Sequence, residues 1–149
     1  MRELHFMWRV VQFLLDNGAQ VDAKDHKERT PLHFACNYGL REVASLLLSR
    51  NANPFALSKE GCAPVHYVCL SGSVETLQLI LNLPGSESDV SVRSRKHHMT
   101  PLHMAVYSNR LELMEYLLAR GAELEAVNAE GRCGGLVGTS MLSWISADR

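Results

Sequence analysis

Several things are scarce in this chain, and each scarcity narrows what it does. No run of about 18 apolar residues occurs, so nothing in it reads as a membrane span. Cysteine is sparse: Cys36, Cys62, Cys69 and Cys133 are the only four, none in a Cys-x-x-Cys pair. A chain of 149 residues builds a core without disulfide staples, so we read these as reduced thiols in a reducing compartment. No Asn-x-Ser/Thr acceptor is present, which agrees with an intracellular chain. The expected location is the cytoplasm, with the nucleus left open. An excess of one charge sign is also missing. The net charge is −1, which gives no long-range pull toward nucleic acid or an anionic membrane. The most basic stretch, Arg93-Ser94-Arg95-Lys96-His97-His98, is short and falls in an expected loop. The N-terminal stretch from Met1 to Leu15 has a charge followed by apolar residues, but Arg9 and Gln12 interrupt it and no small-x-small cleavage site follows.

What is there is a repeat. Apolar residues make up 46% and charged residues 21%, the balance of a soluble folded protein. Thr30-Pro31-Leu32-His33 returns 33 residues later as Ala63-Pro64-Val65-His66, and 37 after that as Thr100-Pro101-Leu102-His103. A 33-residue period opening on Thr-Pro-Leu-His resembles the ankyrin-repeat family, from about Val10 to Arg132. That resemblance implies an all-α solenoid of stacked helix-turn-helix units joined by β-hairpin-like loops.

The residues support this independently. Thr30 is placed to cap a helix and Pro31 suits its first position. The first helix is expected over 31–37, ended by Gly39, and a second over 40–49 with Val43, Leu46, Leu47 and Leu48 inward. The same grammar predicts helices over 64–70 and 74–82, with Gly72 between them and Leu77, Ile80 and Leu81 inward. It predicts a last pair over 101–108 and 111–119, with Asn109 in place of glycine and Met114, Leu117 and Leu118 inward. Val10, Val11, Leu14 and Leu15 match second-helix positions of an incomplete first unit. About three and a half repeats result, starting near 30, 63 and 100 after that half unit.

Two departures stand out. An insertion over 83–88, rich in Pro, Gly and Ser, predicts an exposed loop before Asp89-Val90-Ser91-Val92 resumes the pattern. Position 133 should begin another unit but reads Cys133-Gly134-Gly135-Leu136, and each glycine costs about 1 kcal/mol in a helix. We therefore divide the chain into a repeat domain, 1–132, and an off-pattern tail, 133–149, with a short helix expected after Ser140. Neither end carries a polar capping repeat. Phe6, Met7 and Trp8, and Leu142, Trp144 and Ile145, are expected to be exposed apolar surface that favours self-association.

Catalytic and metal readings are weak, and no cofactor or metal is expected. His33, His66 and His103 recur at one repeat position, but neighbouring helices about 8–10 Å apart cannot bring these rings within the ~2 Å of a zinc bond. In chains resembling ankyrins this histidine fixes the loop. His97-His98 lacks further ligands nearby. His66 and Cys69 share a helix, yet Cys36 sits at the position of Cys69, which marks a small core residue rather than a nucleophile. Gly131 to Ser140 lacks the lysine of a phosphate loop. Asp16, Asp22 and Asp25, like Glu123 and Glu125, read as solvated turn residues.

A binding surface remains. The resemblance implies that partners dock on the concave side, along hairpin tips and first helices. Position by position, the tips are His26, Lys27 and Arg29; Lys59, Glu60 and Cys62; Lys96, His97 and Met99; and Ala129, Glu130 and Arg132. The first-helix positions are Asn37, Tyr38, Leu70, Ser71, Tyr107 and Ser108. The tips near the first two loops are rich in lysine, arginine and histidine, so a mildly acidic partner segment is expected. The expected function is a non-catalytic scaffold or adaptor for another protein. The competing expectation is a fragment or shortened isoform of a larger protein, such as an ion channel or a multidomain signalling enzyme.

Overall fold

A computed structural model describes residues 2–86 and 89–131. The described residues contain seven α-helices: α1 (Arg2–Asp16), α2 (Pro31–Asn37), α3 (Arg41–Ser49), α4 (Pro64–Ser71), α5 (Val74–Leu81), α6 (Pro101–Tyr107) and α7 (Leu111–Ala119). A 3-10 turn, Asp89–Ser91, follows the insertion. The short inner helices stack as α2 on α4 on α6, and the outer helices as α1 on α3 on α5 on α7. Each inner helix also packs on its own outer helix, so the described residues form the expected all-α solenoid.

Local chemistry sets the helix limits. Pro31, Pro64 and Pro101 each open an inner helix, where a missing N–H costs nothing. Gly39 and Gly72 follow α2 and α4 with left-handed backbones, φ +64° and +82°. Asn109 takes the same conformation after α6 at φ +53°, as its sequence position predicts. Thr100 caps α6, its hydroxyl accepting the His103 N–H at 3.3 Å. At Thr30 the hydroxyl turns instead to the His33 ring, 3.0 Å away, and the His33 N–H goes to the Thr30 carbonyl.

Among the described residues the hairpins form a ladder without regular strands. Within each, one bond closes the turn: Asp25 N–H to Arg29 O at 3.0 Å, Ser58 to Cys62 at 2.9 Å and Ser94 to Met99 at 2.9 Å. Between them, Lys59 N–H donates to Lys27 O at 2.9 Å, Lys96 to Glu60 at 3.2 Å and Ala129 to His97 at 2.9 Å.

The core runs lengthwise between the two helix layers. Leu32, Val65 and Leu102 line it from the inner helices, and Leu47, Ile80 and Leu117 from the outer, each almost fully buried. Each such side chain contributes about 1.5–3 kcal/mol through lost water contact. Some expectations need correction. Leu46, Leu48 and Leu118 are only half-buried, while Ala44 and Leu113 are buried in their place. Outer helices pack on an inner helix and on neighbours at both sides, which rotates the buried arc. Trp8 is half-buried against the core rather than exposed, while Phe6 and Met7 are exposed as expected. In the insertion Pro84 and Gly85 are exposed, but Ser86 is buried. Its hydroxyl lies 2.6 Å and 2.7 Å from the Leu83 and Leu81 carbonyls, capping the end of α5. The tail over 133–149 and Arg132, with the helix expected after Ser140, lie outside the described residues.

Candidate functional site

The recurring histidines hold the hairpins to the helices. His33 Nδ1 accepts the Thr30 N–H at 3.0 Å, His66 Nδ1 the Ala63 N–H at 3.0 Å and His103 Nδ1 the Thr100 N–H at 3.1 Å. A backbone N–H only donates, so Nδ1 carries no proton and Nε2–H is the donor. His33 Nε2 donates to Cys62 O at 3.0 Å, in the next hairpin. His66 Nε2 lies 3.0 Å from Met99 O and 3.2 Å from Val92 O, again one hairpin on. Burial pushes the pKa of both His33 and His66 down, against carbonyl bonds that favour the charged ring. The rings are neutral rivets between units, and each Nδ1 lone pair is already taken.

The thiols are equally inert. Burial raises Cys36 to about 12 and pushes Cys69 higher still, so neither forms a thiolate near neutral pH. Half-buried Cys62 is also raised by burial.

The hairpin edge and one side of the inner helices are open to solvent. His26, Lys27, Lys59, Glu60, Lys96 and His97 are all exposed there. Arg29 is different. Its Nε and one terminal nitrogen donate to Asp25 Oδ2 at 2.9 Å and 2.7 Å, and its guanidinium lies 4.5 Å above the Phe34 ring. Asp25 also accepts the Lys27 and Arg29 N–H groups at 2.9 Å and 2.8 Å. Partial desolvation pushes this carboxyl up, but those bonds outweigh it and hold the pKa at about 2. Asp25 is therefore not the solvated turn residue expected. Asp22 is not either: its oxygens accept the Asn53 N–H at 3.1 Å and 3.2 Å, tying one unit to the next.

Tyr38 and Tyr107 project from the inner layer, 68% and 81% exposed. Asn37, Leu70 and Ser108 beside them are half-buried. The Leu70 carbonyl accepts from Arg110 at 3.4 Å. Across the first three hairpins, Lys24, Lys27, Lys59, Arg93, Arg95 and Lys96 are exposed against Glu28 and Glu60, whereas the last hairpin exposes Glu123, Glu125 and Glu130. Lys96 and Glu60 approach to 3.6 Å as a solvent-exposed pair of little energetic weight. The first three hairpins are cationic although the whole chain is nearly neutral. The basic tips of the first two loops and the basic stretch 93–98 were legible in the sequence; stacking of the units brings them to one edge. Sequence reading missed the fixed state of Arg29, although the Asp-x-x-x-Arg spacing within one turn was its signal.

Comparison with known proteins agrees with this architecture. Two family models match: "Ankyrin repeats (3 copies)" over residues 50–128 and "Ankyrin repeats (many copies)" over residues 14–68. The B-cell lymphoma 3 protein homolog of Mus musculus is 32% identical over 123 residues, covering 82% of this chain and 27% of the relative. Rabankyrin-5 of Homo sapiens is 31% identical over 118 residues, covering 78% and 8%. Transient receptor potential cation channel subfamily A member 1 of Homo sapiens is 34% identical over 124 residues, covering 83% and 11%. The chain thus spans about a quarter or less of the length of these relatives.

Proposed function

The chain belongs to the ankyrin-repeat family, and on that premise we propose that it is a non-catalytic scaffold or adaptor whose hairpin edge and inner-helix side bind another protein. The repeat domain is 1–132, with 133–149 an appended tail, and it works in the cytoplasm. No helix among the described residues is long and apolar enough to cross a membrane. The single observation carrying this reading is the pair Tyr38 and Tyr107, large aromatic rings left open on the inner layer. Tyrosine supplies broad contact area and a polar end at small entropic cost, which suits a hot spot. His26, Lys27, Lys59, Lys96 and His97 would steer an acidic partner segment, and Glu60, Asn37, Leu70 and Ser108 would border it. The buried thiols and saturated histidines support the absence of catalysis.

The test uses the full chain as bait and a protein it captures. Tyr38→Ala and Tyr107→Ala should each weaken that protein by more than about 1 kcal/mol in titration calorimetry. Thermal melts should move little. Unchanged affinity in both variants removes the assignment.

A second reading has its own observation. The relatives are several times longer, and one is a cation channel. In that reading these repeats are a piece of a larger protein, and the docking surface serves the whole. A transcript carrying membrane spans or a catalytic domain in frame with residues 1–131 decides for it.

A further inference from the structure

The third hairpin departs from its neighbours at the tip. In the first, second and fourth, an N–H at the turn donates to the carbonyl three residues back: Glu28 to Asp25 at 2.9 Å, Gly61 to Ser58 at 2.8 Å and Gly131 to Asn128 at 3.0 Å. In the third, His98 reaches back four residues, to Ser94 at 3.0 Å. The closing bond lengthens to match, running from Ser94 to Met99 where Asp25 closes on Arg29 and Ser58 on Cys62. The third tip thus holds one residue more. Gly61 makes room for it: a Cβ there would run into the Cβ and Cγ of Arg95, so the arginine stem lies across that glycine.

Charge follows the same division. The first two tips oppose their own charges, Lys27 beside Glu28 and Lys59 beside Glu60. The fourth hairpin is acidic, with Glu130 at its tip and Glu123 and Glu125 on its arm. The third exposes Arg93, Arg95 and Lys96, then His97 and His98, with no carboxylate from Val90 to Thr100. Lys96 approaches Glu60 to 3.6 Å in solvent. Arg93 shares a small cleft with Glu123, and one of its terminal nitrogens lies 3.4 Å from the Val127 carbonyl. Among the described residues no carboxylate oxygen lies within 4 Å of the Arg93 or Arg95 guanidinium. The fork of an arginine matches the two oxygens of a carboxylate.

We propose that the third hairpin is the specificity-determining finger of the docking edge and selects a short acidic segment of the partner protein; this rests on the reading of that edge as a protein-binding surface. The width of the patch decides for a peptide. Units repeat about 8–10 Å apart, a span that about three extended residues cover at about 3.3 Å each. The cationic patch is one unit wide and has carboxylates on both sides, Glu28 and Glu60 on one and Glu123, Glu125 and Glu130 on the other. A nucleic acid duplex or an anionic bilayer is charged over a far broader surface and would meet those carboxylates as well as the cations. Two or three Asp or Glu within about four extended residues fit the patch alone. The mode is recognition of an acidic motif by clustered arginines. Each exposed contact is weak by itself, so discrimination comes from the cluster and fades with salt.

The test selects a phage-displayed library of random twelve-residue peptides on the full chain. Selected peptides should carry two or more Asp or Glu within about four residues, and their binding, read by fluorescence anisotropy, should weaken as salt rises. Arg93→Gln, Arg95→Gln and Lys96→Gln together should weaken them at least tenfold. Lys24→Gln with Lys27→Gln should cost less than threefold. All five positions are exposed, and thermal melts check that both variants fold. Tyr107→Ala separates this proposal from the reading beneath it. Peptides that lack acidic clusters yet depend on Tyr107 overturn the finger and leave the docking edge standing, whereas a selection that yields no peptide overturns both. Acidic peptides that bind the triple variant as well as the wild type, or lose as much in the first-hairpin variant, also overturn the finger. So does a single-stranded DNA of twenty nucleotides, or a vesicle of phosphatidylserine and phosphatidylcholine, that binds more tightly than the best peptide and loses that affinity in the triple variant.

Discussion

At the scale of single residues, this protein spends its polar chemistry on joining units. His33 and His66 each bind their own turn through Nδ1 and the next hairpin through Nε2, so one ring spans two repeats. Only the neutral ring does this. The unfolded chain protonates histidine near an ordinary pKa of about 6.5, while burial holds both native rings lower. As pH falls below about 6.5 the unfolded state therefore binds more protons, and stability drops. The expected slope approaches about 1.4 kcal/mol per pH unit for each ring held neutral. Urea titrations at pH 7.5, 6.5 and 5.5 should show the fall, and His66→Gln should flatten it. Stability independent of pH over that range would mean the rings are protonated in the fold. Asp25 acts in a lower window: its native pKa of about 2 lies below the ordinary carboxylate value. Its contribution holds above about pH 4 and fades toward pH 2.

At the scale of elements, the turns decide how tightly units nest. Gly18, just after α1, and Gly61, in the second hairpin, both have left-handed backbones, φ +88° and +76°. A Cβ on Gly18 meets nothing within 4 Å. On Gly61 it would stand 2.6 Å from the Arg95 backbone nitrogen and run into that residue's Cβ and Cγ. Gly18→Ala should cost about 1–2 kcal/mol from backbone strain alone. Gly61→Ala should cost about 1–3 kcal/mol more, because the next hairpin must move. Chemical denaturation of both variants checks the order; equal losses would mean the hairpins are not in close contact. Outer helices are tied in a similar way across units. Arg50, after α3, pairs with Asp16 at the end of α1 at 2.7 Å. Arg120, after α7, reaches Leu81 O at 2.7 Å and Asn82 Oδ1 at 3.0 Å at the end of α5. Cations there also suit the negative end of a helix.

At the scale of the molecule, stability is a sum of units and the joints between them, so an end with fewer joints opens first. No residue of α1 is buried, whereas α4 and α5 contribute nine buried residues between them. Hydrogen exchange should therefore be fastest in α1, slower in α3 and slowest in α4 and α5. Protection of α1 equal to that of α4 in a strictly monomeric sample would contradict this gradient.

The repeat period and the proline and glycine punctuation by themselves determined the helix pairs, their order and most of the core, because these are local properties carried by residues a few positions apart. Asn109 in the place of glycine and the paired thiols at Cys36 and Cys69 were legible for the same reason. Two features were decided only by the tertiary structure: Arg29 locked on Asp25, and Val10 and Leu14 left open while their counterparts are covered. Exposure depends on which neighbours arrive in space, and a side chain's own sequence position does not record them.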